Sequence, residues 1–230
     1  MKNNTDRIKK IVMIAMFSAI AFVTTVLCGY FPKVAGFLSL EVKDAVIVLC
    51  SLILGPLPGL VIAILVPIVE SFTISATGWY GLIMNALSSA TFVLVTGAIY
   101  KYKRTLYGAI VGLLAGIFSV TAVMLLANLF ITPLYLRYML GVPATMSTVV
   151  EMIPTILLPF NFIKATLNAA LVLLLYKPVS TSLKKMRVLE YTKTDVFKNA
   201  NTKYRSAVVT AVSLAMIVLS FVIIFFVLKA

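Results

Sequence analysis

The chain has 230 residues, of which 62% are hydrophobic and 12% are charged, and its mean hydropathy is +1.09. This composition excludes a water-soluble globular domain and indicates an integral membrane protein. The formal net charge of +13 would suit a nucleic-acid partner. However, the basic residues fall mostly in the connections between apolar segments, which is typical of membrane topology, so no nucleic-acid partner is expected.

Seven apolar segments are predicted to be membrane helices, because a spanning helix needs about 20 largely apolar residues. In chain order they are Ile11 to Tyr30, a short segment from Ala45 to Leu54, Gly59 to Ile74, Trp79 to Tyr100, Leu106 to Phe130, Ile153 to Tyr176 and Ala207 to Leu228. The predicted fold class is therefore an all-α membrane protein. Residues 1–178 are predicted to form a six-transmembrane-helix core, 179–205 a basic cytoplasmic linker, and 206–230 a seventh, C-terminal transmembrane helix.

The distribution of Lys and Arg predicts the orientation. With the N-terminus in the cytoplasm, the cytoplasmic segments hold fifteen of these residues and the outer segments hold four, namely Lys33, Lys43, Arg137 and Lys229. An excess of this size follows the positive-inside rule. The sequence thus predicts a multi-pass protein of the cell membrane with a cytoplasmic N-terminus, whose basic linker is attracted to anionic membrane lipid.

No catalytic motif is found in the sequence. It contains no phosphate-binding G-x-x-x-x-G-K-[ST] loop, no histidine to serve as a base, and no carboxylates at metal-ligand spacing. The two cysteines, Cys28 and Cys50, are interpreted as apolar packing residues. The chain is therefore predicted to be neither an enzyme nor a metalloprotein, with no cofactor, and binding or transport remains.

The segment "PFNFIKATLNA" at 159–169 carries unusual polar residues inside an apolar span. Asn161, Lys164 and Asn168 are three and seven residues apart and share one helix face. Lys164 lies about 16 Å into the span, near the midplane, where a lysine costs about 2.5 to 3.5 kcal/mol. Asn85 and Asn128 are expected in the same outer half of the membrane.

The sequence predicts no acid beside Lys164 at this depth, which favours a ligand as its partner. Asparagine amides both donate and accept hydrogen bonds and would suit a neutral polar heterocycle. Alternatively, the amides only join helices through interhelical hydrogen bonds. The predicted outer loops, 29–44 and 131–154, are long enough to fold over a pocket, whereas Trp79 and Tyr80 are interpreted as anchors at the membrane surface.

Several motifs in order resemble a known family. They are "AMFSAIAF", "FLSLEVKDAVIVL", "GPLPGLVIA", "NALSSATFVL", "NLFITPLYL" and "PFNFIKATLNA". Together they resemble the substrate-binding S components of energy-coupling factor (ECF) vitamin transporters, and within these the riboflavin-specific group. The resemblance covers roughly residues 8–178. It implies a six-helix protein that captures riboflavin from outside, pairs with a membrane coupling subunit and two cytoplasmic ATPases, and releases the vitamin inside.

The resemblance also implies site residues. Asn128, Asn161 and Lys164 would be the polar contacts to the flavin, Asn85 a wall of the site, and Leu40 a loop contact over the ring. Tyr135 and Asn168 complete the expected substrate-binding set. Ala15 and Ala19, four residues apart on the first helix, would contact the coupling subunit, although generic helix packing also explains them.

One departure from the riboflavin-specific group lies in the first outer loop. "LSLEVKD" carries Glu41 and Lys43 where that group more often shows a neutral, hydroxyl-bearing stretch. Two other functional readings stay open. One is an S component for a different vitamin or small heterocycle, and the other is a membrane scaffold in which Lys164 and the asparagines only stabilise packing.

Overall fold

The computed structural model describes residues 2–185 and 202–229, and these residues form eight α-helices. The helices are α1 (Lys2–Cys28), α2 (Lys43–Leu54), α3 (Pro56–Thr73), α4 (Gly78–Tyr102), α5 (Leu106–Met139), α6 (Met146–Met152), α7 (Leu158–Lys185) and α8 (Thr202–Lys229). A π-helical turn, Ile153–Leu157, joins α6 to α7. The predicted all-α fold class is confirmed. Most of the predicted basic linker, residues 186–201, lies outside the described residues.

Five helical segments among the described residues are long and apolar enough to cross a membrane. They are Asp6–Cys28, Pro56–Thr73, Gly78–Tyr102, Leu106–Met139 and Met146–Leu183, and a shorter apolar stretch, Ala207–Ile223, lies in α8. Large apolar side chains such as Phe118 and Phe130, each 64% exposed, cover the outside of the helices. Exposed apolar side chains of this kind suit contact with lipid tails rather than with water.

The prediction of a long outer loop at 131–154 is wrong. The fifth helix continues through Pro133 to Met139, and α6 begins at Met146, so only residues 140–145 separate the two. Proline is tolerated inside membrane helices because neighbouring groups satisfy the freed backbone carbonyl. A capping box between Thr145 and Thr148 then starts α6.

Helix α2 is the centre of the bundle, and ten of its twelve residues are buried, from Lys43 to Leu52. It is apolar nearly all round, as expected of a helix surrounded by other helices. Small residues let its neighbours approach closely: a Cβ atom added at Gly59 of α3 would lie 2.7 Å from Ser51 Cβ of α2. The C-terminal end of α2 is thereby fixed against α3 and, through the contact of Gly59 with Val93, against α4.

Two glycines of α5 lie directly against α4. A Cβ atom at Gly112 would lie 2.9 Å from the Thr96 carbonyl oxygen of α4, and one at Gly116 would lie 2.5 Å from Thr96 Oγ1. Helices α4 and α5 therefore approach closely along small residues, as is common between membrane helices. This contact fixes Asn85 of α4 and Asn128 of α5 on facing walls of one cavity.

Candidate binding site

A cavity of about 430 Å³ lies among α1, α3, α4, α5, α7 and the loop that joins α1 to α2. Its size falls in the range of about 300–1,000 Å³ that is usual for small-molecule sites. Its polar and aromatic lining is contributed by Thr25, Lys33, Phe37, Ser39, Glu41, Glu70, Thr77, Tyr80, Asn85, Asn128, Thr132, Tyr135, Phe160, Asn161 and Lys164. Five of the seven residues predicted to bind substrate are in this lining, and Leu40 and Asn168 are not.

Two buried asparagines face the cavity from α5 and α7. The Asn128 Nδ2 donates to the Met124 carbonyl oxygen at 2.6 Å, and its Oδ1 accepts from Thr132 Oγ1 at 2.7 Å. The Asn161 Nδ2 donates to the Leu157 carbonyl oxygen at 2.7 Å, at the end of the π-helical turn. No partner of Asn161 Oδ1 is found among the described residues. Both amides are therefore held in place by their own helices, which suits a pre-formed polar wall.

The expectation that no acid lies beside Lys164 is wrong. Its Nζ lies 3.3 Å from Glu41 Oε2, which comes from the loop before α2. The same Oε2 atom lies 3.0 Å from Nζ of Lys43, and this second ammonium lies 2.5 Å from Glu70 Oε2 of α3. Burial opposes ionisation of Glu41, but Lys164 and Lys43 outweigh it and lower the pKa of Glu41 to about 2. Two lysines and two carboxylates thus form one connected cluster beside the cavity.

Glu70 joins this cluster to two more helices. Its Oε1 accepts from Thr25 Oγ1 of α1 at 2.8 Å, and its Oε2 accepts from Asn85 Nδ2 of α4 at 3.4 Å. Lys43 itself is completely buried, so it does not belong to the outer-surface charges among which the sequence analysis counted it. The sequence analysis did not propose Glu70 as a site residue, although a carboxylate inside a predicted membrane span is a signal of function.

Asn168 lies one helical turn beyond Lys164, behind the cavity wall. Its Oδ1 accepts from the backbone N–H of Ala45 at 2.8 Å, and its Nδ2 donates to the Glu41 carbonyl oxygen at 2.9 Å. Helix α2 has no side-chain cap of its own at Val42. Asn168 therefore supplies that cap from α7 and ties the first turn of α2 to the wall that carries Lys164.

Leu40 also lies behind the wall. It is buried in a small cluster with Ile163 and Leu167 of α7. Its neighbours Ser39 and Glu41 both line the cavity. In this irregular loop Leu40 therefore faces α7, while the residues on either side of it face the cavity.

Aromatic rings from three elements form one side of the cavity. The ring centroids of Tyr135 and Phe37 are 6.0 Å apart, and those of Tyr135 and Tyr80 are 5.9 Å apart. Tyr80 is thus part of the cavity, not only the surface anchor suggested from its sequence position, while Trp79 is 70% exposed. A planar ring system could lie against this aromatic side with polar groups opposite it.

Ala15 and Ala19 both lie on an exposed face of α1. The opposite face, with Met13, Phe17 and Ala21, is buried against the bundle. The two alanines therefore make a small-residue surface that another membrane helix could approach.

A multi-helix membrane protein with a pre-formed polar and aromatic cavity is a binding protein rather than a channel or a bare anchor. The family model "ECF transporter, substrate-specific component" matches residues 9–176. The chain belongs to this family of transporter components.

Named relatives are similar over most of the chain. The "Riboflavin transporter RibU" of Staphylococcus aureus (strain TCH60) is 30% identical over 190 residues, which cover 80% of this chain and 97% of the relative. The "Riboflavin transporter FmnP" of Bacillus subtilis (strain 168) is 27% identical over 178 residues, 75% of this chain and 94% of the relative. A solved structure, described as "Structure and mechanism of the S component of a bacterial ECF transporter", superposes with a TM-score of 0.64 at 30% identity and covers 77% of this chain and 99% of its own.

Proposed function

We propose that this chain binds riboflavin and serves as the substrate-binding component of an ECF-type importer. The observation that carries the proposal is the pairing of an aromatic side with a polar side in one cavity of about 430 Å³. Riboflavin has a planar tricyclic ring with carbonyl and ring-nitrogen acceptors and one N–H donor, and a chain of hydroxyls. The similarity to two proteins named as riboflavin transporters supports this choice among neutral heterocycles.

The polar contacts to the vitamin are assigned to the cavity-lining residues of the predicted set. Lys164 donates to the polar edge of the ring, Asn161 can donate to it or accept from it, and Asn128 and Asn85 complete the polar side. Tyr135 contacts the ring face. Leu40 and Asn168 do not contact the vitamin. They position the residues that do, because Leu40 packs against α7 and Asn168 donates to the Glu41 carbonyl oxygen.

The remaining parts of the proposal concern topology and partners. The N-terminus lies in the cytoplasm, as the excess of basic residues in the predicted cytoplasmic segments indicates. The chain hydrolyses no ATP itself and works with a membrane coupling subunit and two cytoplasmic ATPases. Ala15 and Ala19 are the proposed contact to the coupling subunit, since both are exposed on α1.

Binding of riboflavin to the detergent-purified protein tests the ligand. Flavin fluorescence is titrated for the wild type, for Lys164→Met, and for Lys101→Met as a control at the exposed end of α4. Loss of one charged hydrogen-bond donor costs about 1.5–3 kcal/mol, or about 10- to 150-fold in Kd. We expect this weakening for Lys164→Met alone. Absence of flavin binding by the wild type overturns the proposal, and a panel of other vitamins then identifies a different ligand.

Uptake into proteoliposomes tests the partners. ATP-driven riboflavin uptake is expected only when the chain is reconstituted together with the coupling subunit and the ATPases. Uptake by the isolated chain with ATP would contradict the proposed division of labour.

A further inference from the structure

Helix α8 lies outside the region that defines the family. The family model ends at residue 176, whereas α8 runs from Thr202 to Lys229. The two named relatives are covered almost completely by alignments that include only 80% and 75% of this chain. The function of α8 must therefore be argued from its contacts in this protein.

One face of α8 packs against the bundle. Ser213 and Ser220, seven residues apart, are buried, and Ile217 between them is half-buried. Val212 and Val218 on the other side are 51% and 62% exposed. A buried face repeating every three to four residues is the pattern of a helix that packs along a neighbour, here α7. Helix α8 is thus packed against the core between Ser213 and Ser220, not only joined to it through the linker.

The contact of Ile217 reaches the back of the binding site. Ile217 packs against the cluster of Leu40, Ile163 and Leu167. Leu40 directly precedes Glu41, and Ile163 directly precedes Lys164. The side chain of Ile217 therefore lies behind the loop and the helix that supply the two partners of the Glu41 to Lys164 ion pair.

Helix α8 makes this contact without entering the cavity. All cavity-lining residues found in the described part of the chain come from residues 25 to 164. An effect of α8 on the ligand must then act through the position of the loop before α2. Leu40 belongs to the cluster that Ile217 of α8 packs against, while its neighbours Ser39 and Glu41 line the cavity.

We propose that α8 is a positioning helix for the binding site. Ile217 supports the cluster that holds Leu40 against α7, and this contact fixes the position of Glu41 and its loop at the wall of the cavity. The proposal rests on the proposed function, because its readout is bound riboflavin. Since the loop forms part of the cavity wall, the loss of this contact is expected to raise the dissociation rate more than it changes the association rate.

The test is stopped-flow measurement of riboflavin dissociation from full-length protein. Variants are Ile217→Ala, the conservative Ile217→Val, and Val218→Ala as an exposed control on the same helix. We expect Ile217→Ala to speed dissociation about threefold or more, Ile217→Val to restore most of the wild-type rate, and Val218→Ala to change nothing. If Ile217→Ala does not fold, Ile217→Thr takes its place, because it keeps the branched shape but weakens the apolar contact; a wild-type dissociation rate in that variant overturns the proposal.

A double-mutant cycle identifies the route. If Ile217 acts through Leu40, then the combined Leu40→Ala and Ile217→Ala protein dissociates no faster than Leu40→Ala alone, so the two effects are not additive. Additive effects on the rate, or a wild-type rate in Ile217→Ala, overturn the role of α8 while riboflavin binding by the wild type still stands. If the wild type binds no riboflavin, both the proposed function and this inference fail.

Discussion

Replacement of Lys43 by methionine is expected to destabilise the protein far more than any other single change in the charge cluster. The Lys43 side chain is completely buried and contacts Glu70 at 2.5 Å and Glu41 at 3.0 Å. After the replacement, Glu41 keeps Lys164 as a cation partner at 3.3 Å. Glu70 keeps only the hydroxyl of Thr25 and the amide of Asn85.

The expected magnitude follows from the charge that is left behind. Removal of one partner of a buried ion pair leaves an uncompensated charge and costs about 3–5 kcal/mol. The hydroxyl and amide that remain on Glu70 do not neutralise it, so the loss should lie within this range. The double variant Lys43→Met with Glu70→Met removes both charges and should recover most of the stability, because an apolar pair of similar size is often no worse than the ion pair.

Equilibrium unfolding in mixed detergent micelles measures these free energies. Lys164→Met serves as the comparison, since Glu41 then retains Lys43 and the loss should be smaller. A loss below about 1 kcal/mol for Lys43→Met, or no recovery in the double variant, would show that the cluster does not carry a buried charge balance.

Three further results are expected. Asn161→Ala should weaken riboflavin binding with little loss of stability. Asn168→Ala should instead lower the unfolding free energy by about 1–3 kcal/mol, because it uncaps α2. Equal effects of the two variants on riboflavin binding would contradict the placement of Asn161 in the cavity and Asn168 behind it. Gly116→Ala should lower the unfolding free energy by about 1–3 kcal/mol, because the added methyl group overpacks the contact with α4. The control Leu114→Ala, at an exposed position of the same helix, should leave thermal unfolding nearly unchanged. The pKa of Glu41 is lowered from 4.5 to about 2, so its ionised side chain stabilises the folded protein. The unfolding free energy of the wild type relative to Glu41→Gln should therefore be highest above pH 4.5 and fall as the pH approaches 2. If this difference instead changes between about pH 5 and 8, the pairing of Glu41 with the two lysines is contradicted.

The helices could be predicted from the sequence because long apolar runs have few alternative structures in a membrane. Each predicted segment coincides with a helix, including the short α2. The long loop expected at 131–154 was wrong for two reasons. Pro133 and nearby polar residues suggested a helix end, although α5 continues to Met139. The short helix α6 begins at a local capping box, which an apolar pattern does not reveal.

The candidate site was predictable where its polar or aromatic residues lie within membrane helices, as for Asn85, Asn128 and Tyr135. Asn161 and Lys164 were found through helical spacing, and both line the cavity. The partner of Lys164 could not be found this way, because Glu41 is 123 residues away and lies in an irregular loop. Leu40 was expected only from the family resemblance, which does not settle which loop side chains face the cavity; Glu41 lines it and Leu40 packs against α7.

The length of α2 has a consequence for how the protein enters the membrane. Twelve residues rise about 18 Å, well short of the roughly 30 Å hydrocarbon core. Its outer end also carries Lys43 and Asp44, so as an isolated segment it would expose two charges to lipid. We therefore expect α2 to insert together with α3, joined at Gly55, as a helical hairpin. At the open end of this hairpin Glu70 of α3 pairs with Lys43, and Ser89 donates to Asp44 once α4 packs beside it.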